Sequence, residues 1–219
     1  MSSLQVLRPL PPRPRKFAPL VVLTGGSGSG KSSASSRLAE CGAVIADADL
    51  IARQVLEPGT SGLQRVVEHF GPTILGEDGS MDRKAMAQIV FNDVEALKAL
   101  EAITHPEVEA AVRALREAQT PSSTVIYDVP LLLERDRRLG LQTDAIVVIS
   151  APIETRVARL VHRGMDEADA RRRIANQVSD DERRKVAHLW IENDGSKEDL
   201  VEVVNDLWNQ YLRSDAPGW

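Results

Sequence analysis

The sequence is poor in cysteine: Cys41 is its only one, which excludes an intrachain disulfide and a zinc site built from thiolates. It also lacks a long apolar run, since no stretch approaches the roughly 18 residues that cross a bilayer. Positive charge is not in excess, because 27 basic and 32 acidic residues give a net charge of −5 at pH 7. Broad electrostatic binding to nucleic acid or to an anionic membrane is therefore not expected. We expect a cytoplasmic protein that is a monomer or a weak homo-oligomer.

Length and composition favour one domain that carries an inserted region. The chain has 219 residues, of which 42% are hydrophobic and 27% are charged, and this composition can bury a core and stay soluble. The first 16 residues differ from the rest, because they combine four basic residues and four prolines with no acidic residue. Residues 1–16 are therefore predicted to be a disordered tail, and residues 17–214 are predicted to form the domain.

Apolar runs and glycine positions predict an α/β fold. A buried strand at residues 20–23 leads through a glycine-rich loop into a helix from Ser32 to Cys41, and a second strand follows at residues 43–46. This order of elements indicates a parallel sheet. Three more strands are predicted, at residues 124–127, 145–149 and 189–191.

Helical patterns occupy the stretches between these strands. One helical region covers about residues 50–120 and resembles an insertion in the sheet, and a second, arginine-rich one covers residues 153–186. Within the first region, His105 and Pro106 are predicted to start a helix, because proline suits the first turn. Ser196 is predicted to cap the last helix of the chain.

The glycine-rich loop carries the most specific signal in the sequence. Residues 25–32 satisfy G-x-x-x-x-G-K-[ST], and they follow a predicted strand and precede a predicted helix, as that motif requires. Glycines let consecutive N–H groups point into one concave anion site, to which the helix adds its positive end. Lys31 would reach the β- and γ-phosphates, and the Ser32 hydroxyl would bind Mg²⁺. A flexible Gly/Ser linker is the competing interpretation, whereas the spacing excludes a dinucleotide-binding fingerprint.

Three carboxylates follow predicted strands. Asp47 and Asp49 come directly after the second strand, and Asp128 ends the third. Ligands of open parallel sheets gather at the carboxyl ends of the strands. A kinase needs an acid that orients the attacking hydroxyl and accepts its proton, and another that holds Mg²⁺. For Asp47 or Asp49 the alternative role is to cap the next helix.

Arginines recur on one face of the second helical region. Arg156, Arg159 and Arg163 are spaced by three and four residues, so they lie along the same side of a helix. Guanidinium groups can stabilise the charge of a transferred phosphoryl group. We predict a functional role for Arg159 and Arg163, with a solvated, salt-bridged surface as the alternative.

Taken in order, these motifs resemble the dephospho-CoA kinase family, from about Leu20 to Tyr211. The resemblance rests on the phosphate loop together with a set of shorter matches further along the chain: residues 47–53, Pro58-Gly59, Met81-Asp82-Arg83, Val90-Phe91, His105-Pro106, Val129 to Leu132 with Glu134, and Asn193-Asp194-Gly195. Two departures from the family pattern are Ser27, which replaces an apolar residue, and Arg156, which stands where glutamine is frequent.

The resemblance implies an enzyme that uses ATP and Mg²⁺ to phosphorylate the ribose 3′-hydroxyl of dephospho-CoA, the last step of coenzyme A synthesis. It implies a P-loop fold with a five-stranded parallel sheet, a helical substrate-binding insertion at about 50–120 and an arginine-bearing lid at 153–186.

The implied catalytic residues are Lys31, Asp49 as the base with Asp47 as the alternative, and Arg163. The implied ATP-binding residues are Gly26, Gly28, Ser29, Gly30, Lys31, Ser32, Ser33, Arg159, Asn193 and Gly195, of which the last two would lie beside the adenine. The substrate would contact Asp49, Arg53, His105, Pro130 and Leu131, and the metal would bind Ser32 and Asp128.

Two alternative functions fit the same motifs in part. The first is a kinase of the same fold that acts on another nucleotide or small molecule, and the second is a regulatory protein that binds ATP without transferring phosphate. The phosphate loop is common to all three, and only the family motifs favour dephospho-CoA.

Overall fold

The computed structural model describes residues 1–130 and 141–219. They divide into two compact units, one formed by Met1–Ala46 with Arg116–Trp219 and the other by Asp47–Leu115. In chain order, the strands are β1 (Ser3–Val6), β2 (Leu20–Gly25), β3 (Val44–Asp47), β4 (Val125–Asp128), β5 (Ala145–Ser150) and β6 (Leu189–Glu192). The helices are α1 (Lys31–Glu40), α2 (Ala48–Gln54), α3 (Ser61–Phe70), α4 (Arg83–Asn92), α5 (Val94–Glu117), α6 (Ile153–His162), α7 (Glu167–Ala175), α8 (Asp180–Arg184) and α9 (Lys197–Leu207). Each unit has its own apolar core.

The sheet has the mostly parallel, helix-flanked architecture predicted from the sequence. Its strand order is β1-β6-β5-β2-β4-β3. β2 pairs in parallel with both β4 and β5, and β5 pairs in parallel with β6. Every residue of β2 is buried, as expected for a central strand covered on both faces. The glycine-rich loop leaves this strand at its carboxyl end, which fixes the location of the candidate site.

The sheet has six strands, so the prediction of five was wrong. The additional strand is β1, which pairs antiparallel with β6 from Ser3↔Glu192 to Val6↔Leu189. Leu4 packs against the main core. Further along, the guanidinium of Arg13 donates to the Thr124 hydroxyl at 3.2 Å. The predicted disorder of residues 1–16 therefore differs from the structure, because an open sheet edge supplies hydrogen-bond partners that composition does not reveal.

The main core lies between the sheet and two helices. α1 contributes Ala34 and Leu38, and the side chains of β2 and β5 contribute the facing layer. α9 begins at the predicted cap, where the Ser196 hydroxyl accepts from the Asp199 N–H at 3.1 Å and the Asp199 carboxylate accepts from the Ser196 N–H at 2.9 Å. Its apolar stripe is buried at Leu200, Val203, Val204 and Leu207.

The second unit is helical, as predicted for the insertion. Its core centres on Val66, Ile74 and Met86. The prediction that His105 and Pro106 start a helix was wrong, because Pro106 lies inside the 24-residue α5. A buried apolar face continues past the proline at Val108 and Val112. This burial offsets the backbone hydrogen bond that proline cannot donate.

Among the described residues, none of the helices combines the length and the apolar character required to cross a membrane.

His188 joins three segments of the first unit. Its backbone N–H donates to the Ile146 carbonyl at 2.9 Å, and its own carbonyl accepts from the Leu7 N–H at 2.8 Å. Its ring nitrogen Nδ1 accepts from the Ile146 N–H at 3.2 Å. Burial lowers the pKa of His188, and the positive charge of Arg8 lowers it further. The folded protein therefore favours the neutral imidazole.

We predict that acid destabilises the protein partly through His188. Because its pKa is lower in the folded state than in the unfolded chain, the unfolded chain binds more protons, and stability falls as the pH drops below about 6.5. His188→Asn keeps an acceptor near the position of Nδ1 but does not titrate. The urea midpoint should fall less between pH 7.5 and pH 5.5 in this variant than in the wild type. An equal fall in both proteins would contradict the assignment.

Candidate active site

The loop between β2 and α1 leads into the first turn of α1, where backbone N–H groups are available to an anion. Gly30 is the residue before α1, with φ 102°, and no side chain caps the helix there. The Ala34 N–H donates to the Gly30 carbonyl at 3.1 Å as the first bond of the helix. The N–H groups of Lys31, Ser32 and Ser33 precede it and have no acceptor within the helix. These donors and the positive end of α1 favour a bound phosphate.

Lys31 is held by an acid from the neighbouring strand. Its ammonium forms an ion pair with the Asp128 carboxylate, and Asp128 is only 7% exposed. The pairing of β2 with β4 places Leu23 beside Asp128, so the sheet itself positions the acid next to the loop. The structure thus brings together two side chains that were predicted for different roles, one for the phosphates and one for the metal.

Asn193 forms a hydrogen bond with the backbone of the loop. Its side-chain Nδ2 donates to the Ser29 carbonyl at 2.7 Å, and the residue is 2% exposed. A Cβ on Gly30 would overlap this amide, so the approach requires glycine at that position. Asn193 was predicted to lie beside the adenine of ATP, whereas the structure shows its amide engaged with the loop backbone.

Arg159 spans the loop and the segment after β6. Its guanidinium makes long contacts of 3.4 Å to the Gly28 and Ser29 carbonyls and of 3.3 Å to the Gly195 carbonyl. Burial lowers the pKa of Arg159, the negative charge of Asp194 opposes this shift, and the positive charge of Arg163 adds to it. Arg159 therefore lies at the loop, and its role in ATP binding stays a prediction.

Arg163 lies at the end of α6 and is exposed. It is followed by Gly164, with φ 92°, at the turn into α7. The apolar faces of these two helices pack together through Val157, Leu160, Ala170 and Ile174. The pair is thus a helical hairpin with Arg163 close to its tip.

The other predicted residues of the first unit lie beyond the end of β4. Pro130 is half-buried, two residues after the acid that pairs with Lys31. Leu131 lies outside the described residues, as do Leu132 and Glu134 of the same family motif.

The second unit contains the two candidate bases. Asp47 caps α2, where its carboxylate accepts from the Leu50 N–H at 2.9 Å. Asp49 lies in the first turn of the same helix and is exposed. One of the two acids therefore has the capping role that the sequence left open. Arg53 is exposed in the last turn of α2, and His105 is half-buried in α5.

Two residues at the loop were not predicted to be functional. Arg156 donates from Nε to the Ser27 carbonyl at 2.9 Å. The Gln177 side-chain oxygen accepts from the Ser27 N–H at 2.9 Å. The helical spacing of Arg156 with Arg159 was a signal for the first residue, but nothing in the sequence distinguishes Gln177.

Comparisons with known proteins identify the family to which this chain belongs. Residues 19–199 match the family model described as dephospho-CoA kinase. The dephospho-CoA kinase of Streptomyces avermitilis is 46% identical over 200 residues, which cover 90% of this chain and 97% of that protein. The crystal structure of TT1252 from Thermus thermophilus is 33% identical, with a TM-score of 0.71, and covers 90% of this chain and 99% of that one.

Some relatives are considerably longer. The dephospho-CoA kinase of Mycolicibacterium paratuberculosis is 47% identical over 191 residues, which cover 87% of this chain but 46% of that protein. The chain thus spans about half the length of this relative. The match to the family model nevertheless includes the phosphate loop, the acid that pairs with its lysine and the helical hairpin. This chain belongs to the dephospho-CoA kinase family.

Proposed function

We propose that this chain transfers the γ-phosphoryl group of ATP to the ribose 3′-hydroxyl of dephospho-CoA and releases CoA and ADP, the last step of coenzyme A synthesis. The observation that carries the proposal is the pairing of Lys31 with the buried Asp128 beside an anion-binding loop, in a chain of this family. The reaction would take place in the cytoplasm between small molecules.

The loop would bind the phosphates of ATP. Phosphoryl transfer needs little covalent chemistry from the protein, so positioning and electrostatic stabilisation dominate. The first-turn N–H groups of α1 would donate to phosphate oxygens, and Lys31 would exchange part of its contact with Asp128 for contact with the β- and γ-phosphates. A lysine that is already held at the loop loses less conformational freedom on binding than an exposed one.

The donor set at the loop fits a magnesium ion. The Ser32 hydroxyl lies in the first turn of α1, next to the lysine whose ammonium contacts the Asp128 carboxylate. Hydroxyl and carboxylate oxygens are ligands that Mg²⁺ prefers, and it often binds through one or two of them together with substrate phosphates. Bound with ATP, the ion would neutralise charge on the β- and γ-phosphates.

Asp49 is the proposed base. The Asp47 carboxylate is engaged at the start of α2, whereas Asp49 is exposed on the same turn. Asp49 would orient the 3′-hydroxyl and accept its proton as the phosphoryl group is transferred. Arg53, His105, Pro130 and Leu131 are proposed to contact dephospho-CoA, and residues of about 50–120 would form its binding region.

The hairpin of α6 and α7 is the proposed lid, within residues 153–186. Arg163, near its tip, would bring positive charge to the transferred group when the hairpin closes over ATP. Closure would also exclude water and so suppress ATP hydrolysis. Arg159 and Gly195 are proposed to bind ATP.

The acceptor is tested by the release of ADP. Purified protein with ATP and Mg²⁺ should release ADP rapidly only when dephospho-CoA is added, and CoA should form in equal amount. Shikimate, nucleoside monophosphates and sugars serve as alternative acceptors. Faster release with one of these would indicate another kinase of this fold, and no release with any acceptor would indicate a regulatory ATP-binding protein.

Lys31→Ala should reduce kcat/KM for ATP by at least about 100-fold, because it removes a positive charge that stabilises the transferred phosphoryl group. Lys197→Ala, which removes an exposed lysine at the start of α9, is the matched control and should retain wild-type turnover. Similar activity in the two variants would exclude the phosphate role of Lys31.

Asp49→Asn should lower kcat by about 10²–10⁴-fold, the usual contribution of a general base. Asp47→Asn should retain most of the turnover, because asparagine caps a helix about as well as aspartate. Steady-state rates of both variants, with circular dichroism as the control for folding, decide between the two acids. The reverse order of activities would assign the base to Asp47.

A further inference from the structure

We propose that Arg156 and Gln177 are positioning residues for the phosphoryl donor, and that they act by holding both polar backbone groups of Ser27. This inference rests on the proposed kinase function. Neither residue is assigned a contact with ATP, because their described contacts are made with the loop and with each other.

Four hydrogen bonds link Arg156, Gln177 and Ser27, a residue of the loop. Arg156 Nε donates to the Ser27 carbonyl at 2.9 Å, and its Nη2 donates to Gln177 Oε1 at 3.0 Å. The same Oε1 accepts from the Ser27 N–H at 2.9 Å. Gln177 Nε2 in turn donates to the Ser27 hydroxyl at 3.0 Å. The loop backbone is therefore fixed at both its donor and its acceptor at this position.

Steric contact reinforces the hydrogen bonds. A Cβ on Gly26 would overlap the Arg156 guanidinium, and a Cβ on Gly28 would lie 2.6 Å from the Arg156 carbonyl oxygen. Only glycine fits at Gly28, where the overlap is with backbone and φ is 80°, whereas a side chain at Gly26 would displace the Arg156 guanidinium. The loop cannot move toward α6 without displacing this side chain.

Arg156 is itself held firmly. It is 4% exposed, and burial lowers its pKa while the nearby charge of Asp180 opposes that shift. The Asp180 carboxylate is fixed by hydrogen bonds from the Ser150 hydroxyl and from Arg183 Nη1. Hydrogen bonds from a buried guanidinium are charge-assisted and about twice as strong as neutral ones. A rigid partner of this kind can impose a conformation on a flexible loop.

The consequence for catalysis is geometric. Rotation of the backbone at Ser27 would turn the following N–H groups away from a bound triphosphate. Misplacing reacting groups by about 1 Å can cost about 100-fold in rate. A role in positioning should therefore appear in the ATP parameters and leave those of dephospho-CoA nearly unchanged, whereas a role only in stability would not separate the two substrates.

The test compares two single variants, their combination and a control. Arg156→Lys keeps the charge, but one ammonium cannot reproduce the two directed bonds of the guanidinium. Gln177→Met keeps the length of the side chain and removes its amide. Arg171→Met is the control, because Arg171 is exposed and bridges Glu154 and Glu167 on the outside of the same hairpin.

Each single variant should weaken MgADP binding, measured by calorimetry, by about 10-fold and lower kcat/KM for ATP by about 10- to 100-fold. KM for dephospho-CoA should change by less than about 2-fold, and the control should match the wild type in every value. The double variant should lose less than the product of the single losses, because both changes disrupt the same contact. Unchanged MgADP affinity in both single variants, or losses that follow the melting temperature, would overturn the inference.

The binding measurement also separates this inference from the proposed function. If the wild type binds MgADP but phosphorylates no acceptor, the kinase proposal fails, and the comparison of MgADP affinities still decides the role of the two residues. If Arg156→Lys does not fold, Gln177→Met carries the test, because its side chain is neutral and only half-buried.

Discussion

The site depends on how a loop of three glycines and two serines is held in one conformation. Glycine-rich backbone loses much conformational entropy on folding. The loop between β2 and α1 therefore needs contacts with other parts of the chain to hold one conformation. Asn193 fixes the Ser29 carbonyl, and Arg156 with Gln177 fixes Ser27. The segment after β6 and the hairpin of α6 and α7 therefore both take part in forming the phosphate site.

The hairpin of α6 and α7 is anchored to the loop at its inner end. Arg156 makes that attachment, while Arg163 near the tip is exposed. The bonds that hold the inner end would have to break for the whole hairpin to move as a rigid body. A movement of the tip alone would leave these bonds intact. Arg159, between the two ends, contacts the loop carbonyls only at long distance.

Two of the expected departures from the family pattern, Ser27 and Arg156, are in contact in the structure. The resemblance to the family implies that Ser27 replaces an apolar residue and that Arg156 replaces a glutamine, and the two residues are in direct hydrogen-bond contact. A polar residue at the loop can use its hydroxyl to accept from Gln177 and from Arg173. The departures are therefore compatible with each other and leave Lys31 and its partner Asp128 in place.

The parallel α/β architecture, the phosphate loop around Lys31 and the cap of α9 could all be predicted from the sequence, because each depends on residues that are neighbours in the chain. β1 could not be predicted, because this strand depends on pairing with β6, near the other end of the chain. The edge of the sheet at β6 supplies the hydrogen-bond partners for the backbone of β1. The contacts of Arg156 and Gln177 with Ser27 could not be predicted either, because they join residues that are 129 and 150 positions apart in the chain. Such contacts become visible only in the folded chain, since directed hydrogen bonds between distant residues leave no periodicity or local spacing in a sequence.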